Sequence, residues 1–462
     1  MSNNTGINRT IVFIFLISIL ILKPAPGILL GQISVKGILL FVLALAFVTV
    51  FLFYIKGVID RNFLSEVKQD YTLIFLFASS LVIIISTVAG SLIEPQNKTI
   101  MNITELYRIV LYMTFYLIAK HIKLQSANQL FKSFVILVLV VEVFGIMQFT
   151  NLFNVNNNLG LIYTPTEAIH NMLISQHRVI STFLNPNLYG SFLVIVISLL
   201  LSYLNFYKAD TVQKKILLSL LIAITITSVF LTTSRTAVIT AAGLIMYWLL
   251  FNLIFIRKEL KRIFMLWLQI SILFVLVFLV LVPNIKYLDY AANQIMTNLQ
   301  IEDNNTEESD TDENQNSETQ KENNSKVKKS LESVSSFKSR YDYWQMNYEK
   351  FLQSPVLGMG PMKKGFIDFA DNSYLYVLAR YGIVGLTLGA LFIGYLYWST
   401  VKSVTKNRSQ SIQLFGLGIN LIIVGYAVMA MVAETWFNIQ SMTIFFAILG
   451  LFYNKTVKVG NE

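Results

Sequence analysis

Long apolar runs dominate this chain and leave few architectures open to it. Twelve of them, with approximate cores at 11–30, 37–54, 73–93, 106–119, 134–149, 191–207, 216–231, 237–256, 263–282, 383–399, 412–430 and 439–452, approach or reach the roughly 17–25 residues that cross a bilayer. Only 13% of the 462 residues are charged and mean hydropathy is +0.60, whereas a soluble domain carries about 25% charge. The chain therefore reads as an all-α, polytopic integral membrane protein with about 12 transmembrane helices. The stretch from Ile11 to Leu22 has the length of a signal peptide, but no small-residue cleavage site follows it. Lys23-Pro24-Ala25-Pro26 comes next, and the expectation is a retained first span continued past Pro26. The run at 106–119 is the weakest, being short and carrying Arg108.

The formal net charge of +10 is explained by where the charges sit. Nineteen lysines and arginines fall in alternate connections, against five in the intervening connections up to the ninth span. By the positive-inside rule this places both termini in the cytoplasm and the remaining connections outside, and it removes nucleic acid as the reason for the positive charge. There are no cysteines, which excludes disulfides and thiol catalysis. The three histidines, His121, His170 and His177, show no ligand spacing, so neither a metal site nor a cofactor is expected.

Three parts follow from this layout: a membrane part at 1–282 with spans one to nine, an extracytoplasmic loop at 283–372, and a membrane part at 373–462 with spans ten to twelve. Within the loop, 301–330 holds nine acidic residues, four lysines and no aromatics. It cannot bury enough apolar surface to offset chain entropy, and disorder is expected there. Beyond it, Trp344, Tyr348 and Phe351 recur at helical spacing and predict an amphipathic helix, which the sequence SPVLGMGP breaks. A short helix at 372–381 should then lead into Gly382 and the tenth span.

Candidate site residues are the arginines and carboxylates near the outer face. Arg235, in LTTSRTAVIT, lies between two apolar runs with almost no connection. It either snorkels to headgroups or, with Thr232, Thr233 and Ser234 beside it, holds an anion, for which the guanidinium fork suits phosphate. Arg178 precedes a helix start at Asn185-Pro186, where Asn185 caps and Pro186 enters the first turn. An arginine next to a helix N-terminus favours a phosphate group. Arg340 either pairs with Asp342, Glu349 or the acidic run, or adds a third outward cation for a polyanionic ligand. Asp371 is either the N-cap of the short helix or a general base for an attacking hydroxyl. Asn187, Tyr341, Trp344, Asn372 and Tyr374 are candidate sugar contacts.

At these residues the sequence resembles the O-antigen ligase/polymerase family of membrane glycosyltransferases, the Wzy/WaaL-like proteins. The resemblance rests on RVISTFLNPN before one span, TSRTA at the start of another, Arg340 with Trp344 and Pro355–Gly360 in a large late loop, and Asp371-Asn372 followed nine residues on by Gly382-Ile383-Val384-Gly385. It covers roughly 178–400. It implies a metal-independent glycosyltransferase acting on lipid-pyrophosphate-linked glycans, with Arg178 and Arg235 holding the pyrophosphate leaving group. Ligases of the family have histidine where this chain has Asp371.

Much Asn, Lys and Ile and no Cys suggest an AT-rich, Gram-positive source without lipopolysaccharide. The expectation is a polymerase of capsule, exopolysaccharide or cell-wall glycan in the bacterial plasma membrane. It would pass an undecaprenyl-pyrophosphate-linked glycan to the next lipid-linked repeat, alongside a flippase and a chain-length regulator. Two alternatives stay open: ligase-like transfer of a finished glycan to a wall, lipid or protein acceptor, and a flippase or exporter. A transporter would more readily place its charges in mid-span, where Glu142 is the main example.

Overall fold

The computed structural model describes residues 9–30, 68–95, 102, 104–122, 127–206, 212–257, 260–281, 340–362, 370–406, 409–454. The expected second span at 37–54 and the acidic segment at 301–330 lie outside these residues. In hydrocarbon, a spanning segment must satisfy its own backbone, so apolar runs of this length fold as helices. In chain order the helices are α1 (Arg9–Ile21), the single turn α2 (Gly27–Leu30), α3 (Tyr71–Ile93), α4 (Thr104–His121), α5 (Ala127–Thr150), α6 (Glu167–Ser175), α7 (Pro186–Phe206), α8 (Val212–Leu231), α9 (Arg235–Phe251), α10 (Leu260–Leu281), α11 (340–353), α12 (Ser373–Lys406), α13 (Gln410–Met429) and α14 (Ile439–Phe452). Eight helices among the described residues are long and apolar enough to cross a membrane, and α14 is a shorter apolar helix.

The first span departs from expectation. Instead of one helix over 11–30, α1 stops at Ile21 and only the turn α2 follows Pro26. Pro24 and Pro26 cannot continue a helix, and the last carbonyls of α1 are left without helical partners. Two distant side chains satisfy them: Gln440 Nε2 donates to the Leu20 carbonyl at 3.0 Å and Thr182 Oγ1 to that of Ile21 at 2.9 Å.

The centre of the bundle is α7 against α13, the two most buried spans. Between helices in lipid, close packing replaces the hydrophobic effect, and small residues permit it. A Cβ on Gly418 would stand 2.8 Å from Leu199 Cδ2, and one on Gly425 would stand 2.8 Å from Val194 Cγ1. By contrast α10 is mostly unburied, with Phe264, Leu268, Ile272 and Leu279 turned outward, as a lipid-facing helix would have them.

Helix direction alternates, and this sorts the polar residues to two ends. At one end Lys120 pairs with Asp70 at 2.6 Å, Arg262 donates to the Leu204 carbonyl, and Asn454 caps the carbonyls of Ala119 and Ile122. At the other end lie the starts of α4, α7, α9, α12 and α14 and the ends of α3, α5, α8 and α13. All four candidate charged residues, Arg178, Arg235, Arg340 and Asp371, sit at this second end.

Candidate active site

The second end is organised by a break in α12. Gly382 has φ 62° and ψ −166°, a conformation that only glycine adopts without strain. The break leaves the last carbonyls before it and the first N–H groups after it without helical partners. The segment Pro355–Gly360 docks there and satisfies both sets. Ile383 and Val384 N–H donate to the Pro355 and Val356 carbonyls at 2.9 and 3.2 Å. Met359 and Gly360 N–H donate to the Ala379 and Arg380 carbonyls, each at 2.9 Å. The segment is wedged so tightly that a Cβ on Gly90 of α3 would lie 1.9 Å from the Met359 carbonyl oxygen. PVLGMG and Gly382-Ile383-Val384, separate motifs in the sequence, are thus one structural unit.

The turn ahead of α12 carries Asp371 and Asn372, and the two have different jobs. Asn372 caps the helix: its Oδ1 accepts from the N–H groups of Tyr374 and Leu375 at 2.9 and 3.1 Å. Asp371, expected as a possible cap, makes no cap; it stands in the left-handed region at φ 45°. Its carboxylate instead faces Arg340 of α11, with Oδ2 3.5 Å from Arg340 Nε and both side chains partly exposed. Arg340 therefore pairs with Asp371, not with its sequence neighbours Asp342 and Glu349.

The end of α13 and the connection after it, far along the chain, hold this turn. Asn372 Nδ2 donates to the Met431 carbonyl at 2.9 Å, Ser373 N–H to Ala430 at 2.8 Å, Ser373 Oγ to Ala433 at 2.8 Å and Tyr374 OH to Ala427 at 2.9 Å. Ala370 N–H donates to the Glu434 carboxylate. Burial pushes the Glu434 carboxyl up from its ordinary value, reinforced by the negative Asp371 and opposed by the Ala370 N–H, Arg380 and Arg108.

Behind the turn lies a layer of charge that the sequence reading did not single out. Arg380 is fully buried, stacks 3.7 Å from the Tyr376 ring centre and donates to Asn347 Oδ1 at 3.2 Å. On α4, Arg108 pairs with the buried Glu105 at 3.0 Å. A signal for Arg380 was present: an arginine inside the apolar run YLYVLARYGIVG with a tyrosine four residues earlier on the same helical face. Glu434, a lone acid in a short connection, had none. Next to this layer, α3, α4, α12 and α14 line a partly open cavity of about 210 Å³. Its walls are almost wholly apolar, among them Phe75, Tyr112, Leu386 and Phe446, and Glu105 and Arg108 supply its charge.

Arg178 and Arg235 form a second group at the same end. Val179 N–H donates to the Leu231 carbonyl at 3.1 Å, which ties the Arg178 segment to the turn before Arg235. The reciprocal pairing of the Gln148 amide with the backbone of Ser181 holds the segment from the other side. Asn185 caps α7 as expected, accepting from Leu188 N–H at 2.9 Å. Ser234 caps α9, with Arg235 exposed at its first position. Thr232 Oγ1 donates to the Val229 carbonyl at 2.7 Å and accepts from Ser234 N–H, so this hydroxyl shapes the turn. The 427–438 segment clamps the Asp371 turn and also reaches α7, where Asn438 Nδ2 donates to Ser191 Oγ at 3.1 Å. Gly190, beside Ser191, packs on Ala237 and Ser234.

Among the candidate sugar contacts, Asn187 and Tyr341 are exposed and Trp344 is half-buried. Asn372 and Tyr374 place their polar groups in the clamp. Among the described residues, no group of three or more His, Cys, Asp or Glu side chains is placed to hold a metal ion.

Residues 219–390 match the family model described as O-antigen ligase. No curated protein matches the chain. The matched segment includes Arg235, Arg340, Asp371 and the Gly382 break; Arg178 and Glu434 lie outside it.

Proposed function

We propose that the protein is a polysaccharide polymerase of the bacterial plasma membrane, with the Asp371 end of the bundle facing outward; the match of residues 219–390 to the O-antigen ligase family model, in a chain with several apolar helices, supports transfer of lipid-linked glycans. The observation that carries this reading is the Arg340–Asp371 pair. Asp371 has no capping duty, is partly exposed, and stands beside a guanidinium at the end of an apolar bundle.

In this reading the donor is a glycan on undecaprenyl pyrophosphate and the acceptor a hydroxyl of the next lipid-linked repeat. The Asp371 carboxylate takes the proton of that hydroxyl as its oxygen attacks the anomeric carbon of the donor. The bond from that carbon to the phosphate oxygen breaks, and the pyrophosphate departs with the electron pair. Arg178 and Arg235, with Arg340, hold the charge that develops on it. The apolar cavity next to the charged layer suits a hydrocarbon chain.

The test is direct. Purified protein in lipid, given only lipid-linked repeat units, should produce a ladder of longer glycans and free lipid pyrophosphate. A requirement for a nucleotide sugar would overturn the reading. Ligation is the second reading, favoured by the description of the matching family; a single transfer to a wall, lipid or protein acceptor other than a lipid-linked repeat, with no ladder, would establish it.

A further inference from the structure

The segment that holds Asp371 in place lies outside the family-matched region, and one of its side chains is charged. Glu434 belongs to the connection between α13 and α14, more than sixty residues beyond Asp371. Its carboxylate accepts the Ala370 N–H, the amide immediately before Asp371. The other four hydrogen bonds of the clamp enter from Asn372 onward, on the helical side of the turn. Asp371 itself is left-handed, at φ 45°. A non-glycine residue in that region is strained and persists only where its surroundings over-determine it. Glu434 alone among these contacts grips the chain on the far side of the strained residue.

The charges around Glu434 are also defined. Arg380 from α12 and Arg108 from α4 attract it, and Asp371 repels it. Arg380 is itself set by its stack on Tyr376 and its bond to Asn347 of α11, the helix that also carries Arg340. The position of Glu434 is therefore coupled to both partners of the Arg340–Asp371 pair.

We propose that Glu434 is the positioning residue for Asp371: by holding the Ala370 N–H it fixes the left-handed turn that aims the Asp371 carboxylate at the acceptor hydroxyl. Glu434 touches neither substrate nor reacting atoms. It acts through the geometry of the base, and the role rests on the assignment of Asp371 as base. A displacement of about 1 Å in such a group costs up to about 100-fold in rate.

The experiment uses the full-length protein in lipid and compares Glu434→Ala with Glu434→Gln. The glutamine keeps an oxygen acceptor of the same reach for the Ala370 N–H; the alanine has none. Glu434→Ala should lower kcat at least about 10-fold while KM for the lipid-linked donor stays within about twofold. Glu434→Gln should restore kcat to within about threefold of the parent. Amide hydrogen exchange of the peptide containing Ala370 should accelerate in Glu434→Ala and stay slow in Glu434→Gln, whatever the activity.

Unchanged exchange in Glu434→Ala, or equal loss of turnover in both variants, would overturn the proposal. Faster exchange with full turnover would overturn the positioning role while leaving the clamp. The base assignment fails separately, by full turnover in Asp371→Asn.

Discussion

Arg340 Nε and Asp371 Oδ2 lie 3.5 Å apart, joining a residue of α11 to the residue before the cap of α12, thirty-one positions on in the sequence. The pair is more than a third exposed on both sides, so its contribution to stability is small, below about 1 kcal/mol. Its significance is chemical. A carboxylate is a suitable group for a general base, and the guanidinium beside it fixes where it stands. A pyrophosphate that engaged Arg340 would also free the carboxylate for the acceptor.

Replacing Asp371 by Asn keeps the size of the side chain and removes its basicity. Turnover should fall by about 100-fold or more, the usual contribution of a general base. The check is the rate of glycan lengthening with lipid-linked repeats, at saturating donor. Turnover equal to the parent protein would remove Asp371 from the chemistry.

Stability should respond in the opposite order at the two neighbouring positions. Asn372→Ala loses the helix cap and the bond to Met431, a cost of about 1–2 kcal/mol. Asp371→Ala loses only the exposed pair, and the unfolding midpoint of the detergent-solubilised protein should move less. A larger drop for Asp371→Ala would mean that the cap had been assigned to the wrong residue.

The break in α12 predicts a sharp contrast between two glycines of the same helix. A Cβ on Gly382 would stand 2.2 Å from the Val356 carbonyl oxygen, at a φ of 62°. Gly382→Ala should cost at least about 3 kcal/mol, and little folded protein should be recovered from membranes. Gly394 has nothing within 4 Å of the same position. Gly394→Ala should fold and turn over like the parent protein, as measured by yield and by glycan lengthening.

Glu434 gives stability a pH dependence of known sign. Burial raises its carboxyl above the ordinary value, so the fold binds this proton more tightly than the unfolded chain does. Its contribution is fully present below the ordinary carboxylate range and is lost as the pH rises through the raised value. Glu434→Gln carries no such proton. Unfolding midpoints taken from acid towards neutral pH should therefore fall less in this variant than in the parent; parallel curves would contradict the buried, proton-retaining carboxyl.

Several elements were legible from local pattern. Asn185-Pro186 opens α7, the spacing of Trp344, Tyr348 and Phe351 falls in the helix at 340–353, and the short helix before Gly382 breaks at that glycine. Each depends on backbone chemistry within a few residues. The first run is not one continuous helix, because Pro24 and Pro26 act on the hydrogen bonds of the helix, and Gln440 and Thr182 complete its end.

Composition and periodicity by themselves determined that this chain is a helical membrane protein and that most of its charged residues gather between spans, because transfer into hydrocarbon is decided residue by residue. Only the tertiary structure decided what those charges meet. It gave the cap to Asn372 and released Asp371 to Arg340, laid Pro355–Gly360 into the break at Gly382, and brought Glu434 under Ala370. Such pairings depend on which helix ends are adjacent, a relation between distant parts of the chain that no local pattern of residues encodes.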